Sequence, residues 1–415
     1  MLPLGVEKPK SHNADMPSTL LTVAQARTEV LAAVEPLASE RVAIDDALDR
    51  VLAGDLPAAG DVPPFTSAAM DGYAVLAGPA GRTLRVIGEA RAGVPSTQAI
   101  REHEAIRTST GAALPAGANA IVRQEQVETE GDEVTLRAGV AATDDIRRRG
   151  EDLTAGSVVL AAGTRLGAAE LAAAVAAGAC NLTCARRPEV AILCTGTELR
   201  APGEPLGPGE IHNANAVTLR ALATRCGALA IPAARLTDDR ELIEAALADA
   251  LARADVVVVS GGVSVGPHDH VKPALDTLGV EQIFWGVAIQ PGKPTWFGSR
   301  DGCLVYGLPG NPVAAFVAFT LFVAPALLAL QGASPEEGEQ EEAELATPVA
   351  RNPYRQQAIT VRLERAEGHT IAVPNGPQGS NLISSLLGAE ALAMVPAGTG
   401  DLEAGARLPL VRLPK

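Results

Sequence analysis

The chain has 415 residues, and its 34 Lys plus Arg against 49 Asp plus Glu give a formal net charge of -15. A surface of that sign repels nucleic-acid phosphates and anionic lipid heads, which are held by clustered Lys and Arg, so neither nucleic acid nor a membrane is an expected partner. With 47% apolar and 20% charged residues, the composition is that of a globular protein, and at roughly 100 to 200 residues per domain it predicts two to four domains.

In chain order, residues 1–17 are polar and interrupted by prolines, with no apolar h-region; they are expected to form a disordered tail and not an export signal. Thr22 followed by Gln25 predicts a capping box ahead of an Ala, Val and Leu helix. A short helical piece is expected over Asp45–Leu52, and an Ala-rich helix over Gly167–Ala177. Residues 18–54 and 151–187 are assigned to one discontinuous linker and helical domain. Between them, residues 55–150 read as a small β-rich domain, with alternating runs at Leu84–Ile87, Ala120–Val122 and Val134–Leu136.

Residues 188–332 alternate strand and helix. Val190–Cys194, Ala228–Ile231, Val256–Val259 and Cys303–Tyr306 are strand-like, while Ala216–Cys226 and Arg240–Ala252 are helical. Such spacing predicts an α/β domain with a parallel sheet covered on both faces. Val313–Leu330 is long and apolar enough to resemble a membrane span. Its position after a strand and the turn Pro309, Gly310, Asn311, Pro312 predicts a buried helix instead. Beyond the Glu-rich linker Ser334–Glu344, residues 333–415 carry short strands at Ala358–Leu363, Thr370–Val373, Ala391–Val395 and Arg407–Val411, and a C-terminal β-barrel is expected.

The five cysteines are odd in number and include no CxxC pair. That argues against a disulfide framework or a zinc ribbon and favours a reducing cytoplasm.

In a parallel α/β sheet, ligands bind beyond the carboxyl ends of the strands. Three such ends run into small residues: Thr195, Gly196 and Thr197; Ser260, Gly261, Gly262, Ser264 and Gly266; and Pro309, Gly310 and Asn311. Glycines let backbone amides approach an anion closely, so a phosphate-bearing ligand is expected there. The run from Gly286 to Thr295 fails the P-loop pattern in spacing and in lacking a hydroxyl directly after Lys293. Lys293, stiffened by Pro291 and Pro294, reads as a fixed charge for an oxyanion. Glu198, Asp238 and Asp269 punctuate the same region, and carboxylates beside phosphate imply a bridging Mg²⁺. His268 and His270 flank Asp269, but no further His or Cys lies nearby, which argues against zinc.

Ser67–Val75, containing Met70, Asp71, Gly72, Tyr73, Ala74 and Val75, resembles the MDGYAV signature of MoeA proteins, the molybdopterin molybdenumtransferases related to the E domain of gephyrin. Further matches fall at Thr108–Gly111, Arg147–Asp152, Thr195–Leu199, Ser260–Gly266, Pro291–Pro294 and Leu308–Pro312. The resemblance covers roughly residues 20–415 in the family's order. It implies Mg²⁺-dependent insertion of molybdenum from molybdate into the dithiolene of adenylylated molybdopterin, with release of AMP. It also implies an elongated four-domain subunit in a homodimer, the active site lying between the α/β domain of one subunit and the β-rich domain of the other. Asp71 and Thr110 would then come from the partner side, Glu198, Asp238 and Asp269 would line the α/β crevice, and Lys293 would hold phosphate or molybdate. Arg355 and Ser380 match more loosely.

The chain departs from the family pattern at Gln290, where many relatives have Lys, at Thr197, where they have an acid, and at Asn213, near an Asp. A non-catalytic molybdopterin-binding scaffold would suit Gln290 and Thr197, whereas Asp71, Glu198, Asp238, Asp269 and Lys293 oppose it. The sister adenylyltransferase, which the resemblance also admits as a transient docking partner, has no place for Asp71, Arg147–Asp152 or the C-terminal domain.

Overall fold

The computed structural model describes residues 20–231, 235–263, 269–333, 341–366 and 368–413. The expected sites Ser264, Gly266 and His268 therefore lie outside the described residues. Two compact units emerge, one of Ser39–Cys184 and one of the chain before and after it.

In the Ser39–Cys184 unit, a six-stranded sheet runs in the order Ala120–Arg123, Gly72–Val75, Glu104–Thr108, Thr83–Ala90, Glu133–Leu136, Val127–Glu130. A Cβ on Gly72 would fall 2.0 Å from the Val122 carbonyl oxygen, so the glycine lets the first two strands close. The same unit holds a smaller cluster, where Val42, Leu52, Leu166, Ala174 and Leu182 pack beneath the helix Ala168–Ala176. The helical piece expected over Asp45–Leu52 is a single 3-10 turn, Ile44–Asp46. Asp49 stops it: its φ of 62° lies in the left-handed region, which a helix cannot continue through.

In the other unit, four parallel strands stand in the order Leu229–Ile231, Glu189–Thr195, Val256–Ser260, Cys303–Leu308. Two antiparallel strands, Trp296–Arg300 and Glu281–Trp285, extend that sheet. The period of two separates the faces. Val190, Ile192, Val256, Val258, Leu304 and Tyr306 pack under the helices Val23–Ala32, Ala214–Arg225 and Pro312–Ala318. Ala191, Leu193, Val257, Val259 and Val305 pack under Arg240–Arg253 and Val271–Thr277. Thr22 and Gln25 make the reciprocal capping box that starts the first helix.

The apolar run Pro312–Leu330 is helical throughout, with π-turns at Phe319–Val323, and is 78% buried inside the fold. It passes a length-and-composition test for a membrane span, but its face is spent on the sheet, as expected of a core helix. Tyr306 lies in this core, fully buried, and its phenolic oxygen has no hydrogen-bond partner among the described residues. Because an unsatisfied buried hydroxyl carries its full desolvation penalty, Tyr306→Phe is expected to stabilise the protein by about 1–3 kcal/mol. Urea unfolding would show this as a higher midpoint at unchanged slope.

The C-terminal region is a closed barrel. Gln356–Ala366 pairs with both His369–Pro374 and Ala391–Val395, and Glu342–Leu345 and Arg407–Arg412 complete the ring. Ile289–Gln290 adds to it in parallel with Gln356 and Gln357, tying the barrel to the α/β layer.

Candidate functional site

Two neighbouring cavities open at the carboxyl ends of the parallel strands. The larger, about 570 Å³, gathers Thr195, Glu198, Ser260, Gly261, Gly262, Pro309, Gly310 and Asn311. The three strand-end loops named from sequence thus meet at one place. Gly261 and Gly262 have φ of +89° and +66°, and a Cβ on either would lie within 3.0 Å of the Thr195 hydroxyl. That hydroxyl is buried and unpartnered among the described residues, so it is available to a ligand. Cys194, also lining the cavity, has its thiol pushed up to about 11 by burial and is a neutral wall.

Asn215, which the sequence did not single out, ties the loops together. Its Nδ2 donates to Ser260 Oγ (2.9 Å) and to the Gly310 carbonyl (2.8 Å), while Ser260 Oγ donates to the Pro309 carbonyl (3.2 Å). Ser260 is therefore a structural tie, its proton already committed. The only signal for Asn215 is its place in the first turn of a helix that opens on Asn213, whose Oδ1 accepts from the Ala216 amide.

The second cavity, about 370 Å³, shares Pro294, Pro309 and Asn311 with the first and is lined by Gln290, Lys293, Arg355 and Ser380. Among the described residues no Asp or Glu lines it. Among the described residues neither Lys293 nor Arg355 has an ion-pair partner. Ser380 Oγ accepts from Asn311 Nδ2 at 3.0 Å, which joins the barrel to the mouth of the larger cavity. The hydroxyl of Thr295 donates to the Gly292 carbonyl at 2.7 Å, so this loop does not act as a P-loop.

Among the described residues Glu198 is the only carboxylate in the larger cavity. Asp238 Oδ2 accepts from Thr197 N (3.2 Å) and Thr197 Oγ1 (3.3 Å), bracing the turn that carries Glu198. Among the described residues no three metal-ligating side chains converge, so Glu198, Asp238 and Asp269 do not make a cation cage by themselves. His270 has αR backbone angles before the helix Val271–Thr277.

In the other unit, Asp71 and Thr110 do meet. Thr110 N and Thr110 Oγ1 donate to Asp71 Oδ1 at 2.7 and 2.9 Å. The amide, then the hydroxyl, then the charge of Arg107 hold the Asp71 carboxyl below its ordinary 3.8. The group therefore keeps its charge to lower pH than an ordinary carboxyl does. Thr110→Val removes one of these donors, so the Asp71 titration should move to higher pH, read by carboxyl-carbon NMR; an unmoved titration would deny the hydroxyl this role. Arg149 is paired with Asp61 at 2.6 Å, while Arg147 and Arg148, exposed like it, make no ion pair among the described residues.

Three family models account for the chain: "MoeA N-terminal region (domain I and II)" over residues 21–178, "Probable molybdopterin binding domain" over 191–329, and "MoeA C-terminal region (domain IV)" over 342–413. A Haemophilus influenzae protein named molybdopterin molybdenumtransferase is 33% identical over 395 residues, covering 93% of this chain and 97% of its own. The Bacillus subtilis protein of that name is 33% identical over 379 residues, 88% of each chain. Among solved structures, the molybdopterin biosynthesis MoeA protein from Pyrococcus horikoshii OT3 superposes with a TM-score of 0.82 at 30% identity, covering 95% of this chain and all of that one. With matches of this identity running through all three regions, the chain belongs to the MoeA family.

Proposed function

We propose that this chain, a transferase of molybdenum cofactor biosynthesis, takes adenylylated molybdopterin and molybdate, inserts molybdenum into the dithiolene and releases AMP. One observation carries the reading: in a protein of net charge -15, two cations without ion-pair partners among the described residues, Lys293 and Arg355, line a cavity to which no described Asp or Glu contributes, beside a glycine-lined crevice. An acidic protein that binds two anions must gather positive charge locally. The larger cavity suits the nucleotide-linked pterin, whose phosphates meet loop amides and the Thr195 hydroxyl; the smaller suits the tetrahedral oxyanion.

Mg²⁺ fits this arrangement only in part. Glu198, on the turn that Asp238 braces, would hold a Mg²⁺ that the protein alone does not cage. Bound there, Mg²⁺ would neutralise charge on the departing AMP. The chain's own groups do the remainder. Lys293 and Arg355 hold the oxyanion next to the dithiolene, the loop amides orient the phosphates, and Thr110 keeps Asp71 ionised. In our reading a second copy of the chain supplies Asp71 and Thr110, the working form is a cytoplasmic homodimer, and the substrate arrives from a transiently docked adenylyltransferase. The five cysteines, none of them in a disulfide, suit a reducing compartment.

The test mixes purified protein with adenylylated molybdopterin, molybdate and Mg²⁺ and follows AMP release. Release that needs Mg²⁺ and molybdate and is lost in Asp71→Asn supports the assignment. Tight pterin binding without turnover would make the protein a scaffold.

A further inference from the structure

The cavity that holds Lys293 and Arg355 also contains Gln290, a neutral residue with two chemically different ends. Neighbouring hydrogen bonds determine which end serves the cavity. Asn352 receives the Tyr354 and Arg355 backbone amides on Oδ1, at 2.9 and 3.0 Å. A backbone N–H can only donate, so the atom facing those amides is the side-chain oxygen, and the other end of Asn352 is its NH₂. That Nδ2 donates to Gln290 Oε1 at 2.6 Å. The acceptor end of Gln290 is thereby used, and Nε2, with its two N–H groups, has no protein partner among the described residues.

We infer that Gln290 is an oxyanion-binding residue of the smaller cavity, donating through Nε2, and that Asn352 is the positioning residue that keeps the donor end turned inward. The inference deepens the proposed molybdate subsite and rests on it. Anion recognition here combines two charges with one neutral donor, and each N–H to a charged oxygen is worth about tenfold or more in affinity. The same tie fixes the turn that carries Arg355, because Asn352 Oδ1 holds the Arg355 amide while Asn352 Nδ2 holds the strand leading to Lys293. A single amide thus couples the barrel's cation to the α/β domain's cation.

The test measures sodium molybdate and AMP binding to the full chain by calorimetry. Gln290→Met removes the donor without adding charge and is expected to weaken molybdate about tenfold, leaving AMP affinity unchanged. Asn352→Asp keeps an oxygen for the two backbone amides but presents an acceptor to Gln290, which then turns its Nε2 away from the cavity; molybdate should weaken by a similar factor. In the Gln290→Met background, Asn352→Asp keeps only the repulsion of its new charge and should cost clearly less than in the unaltered chain, since the group it positions is gone. A merely structural role for Asn352 would instead lower AMP and molybdate affinity together and add fully in the double variant, overturning the inference. Molybdate binding that Lys293→Gln weakens but Gln290→Met leaves intact would sink the inference alone. No molybdate binding by the unaltered chain would sink the subsite and the inference with it.

Discussion

Lys293→Gln is expected to lower turnover by about 10²- to 10³-fold, while leaving the thermal midpoint within about 1 °C of the unaltered chain. The magnitude follows from Coulomb's law: at an effective dielectric of about 20, one charge about 4 Å from an oxyanion contributes about 4 kcal/mol. Among the described residues two cations and no carboxylate line this cavity, so the loss removes half of that local positive charge in a protein of net charge -15. Folding should be indifferent, because among the described residues the Lys293 side chain makes no ion pair or hydrogen bond that its loss would break. Lys293→Arg keeps the charge but presents a broad fork in a loop bounded by Pro291 and Pro294, and should retain more activity than Gln. Steady-state AMP release across these variants, with rising salt as a second variable, checks the assignment. Unaltered turnover in Lys293→Gln would put the oxyanion elsewhere.

The sequence revealed the parts of this molecule whose causes are local. Val256–Val259 is a continuous β-branched run that reads as a buried strand, and the glycines after Ser260 mark where a ligand approaches. Glu281–Trp285 and Trp296–Arg300 were not recognised, because aromatic and polar residues there show neither a clean alternation nor a β-branched run. Their antiparallel place comes from tertiary packing of Phe284, Phe297 and Tyr306, whose rings stack at 5.5 and 4.9 Å between centroids. The site divides in the same way. Lys293 and the three loops were readable as residue types at strand ends, but Asn215 and Asn352 were not, since their partners lie 45 and 62 residues away in sequence. Grouping Glu198, Asp238 and Asp269 from sequence assumed that loops at adjacent strand ends bring their carboxylates together. Loop hydrogen bonds decide that instead, and here one of them spends Asp238 on Thr197.

Gly261→Ala should damage both fold and function, and the two losses have one geometric cause. The residue sits at φ +89°, where an L side chain costs about 1–2 kcal/mol. Its Cβ would in addition lie 2.8 Å from the Thr195 carbonyl oxygen and 3.0 Å from Thr195 Oγ1. Thr195 cannot give way easily. It ends a strand held on one side by pairing to Leu236 and, one residue earlier, on the other by pairing to Ser260. Gly261 itself is fixed by its N–H to the Leu308 carbonyl at 3.0 Å. The expected cost is about 3 kcal/mol, which at about 2–4 °C per kcal/mol lowers the thermal midpoint by about 6–12 °C. AMP release should fall by more than about 10²-fold, because the displaced loop no longer frames the Thr195 hydroxyl. Gly279→Ala is the control. It has the same handedness, φ +73°, but nothing within 4 Å of the added carbon, so it should show only the backbone cost of about 1–2 kcal/mol and keep full activity. If the two variants melt together, the Thr195 strand end is soft, and the close approach of Gly261 is not what builds the crevice.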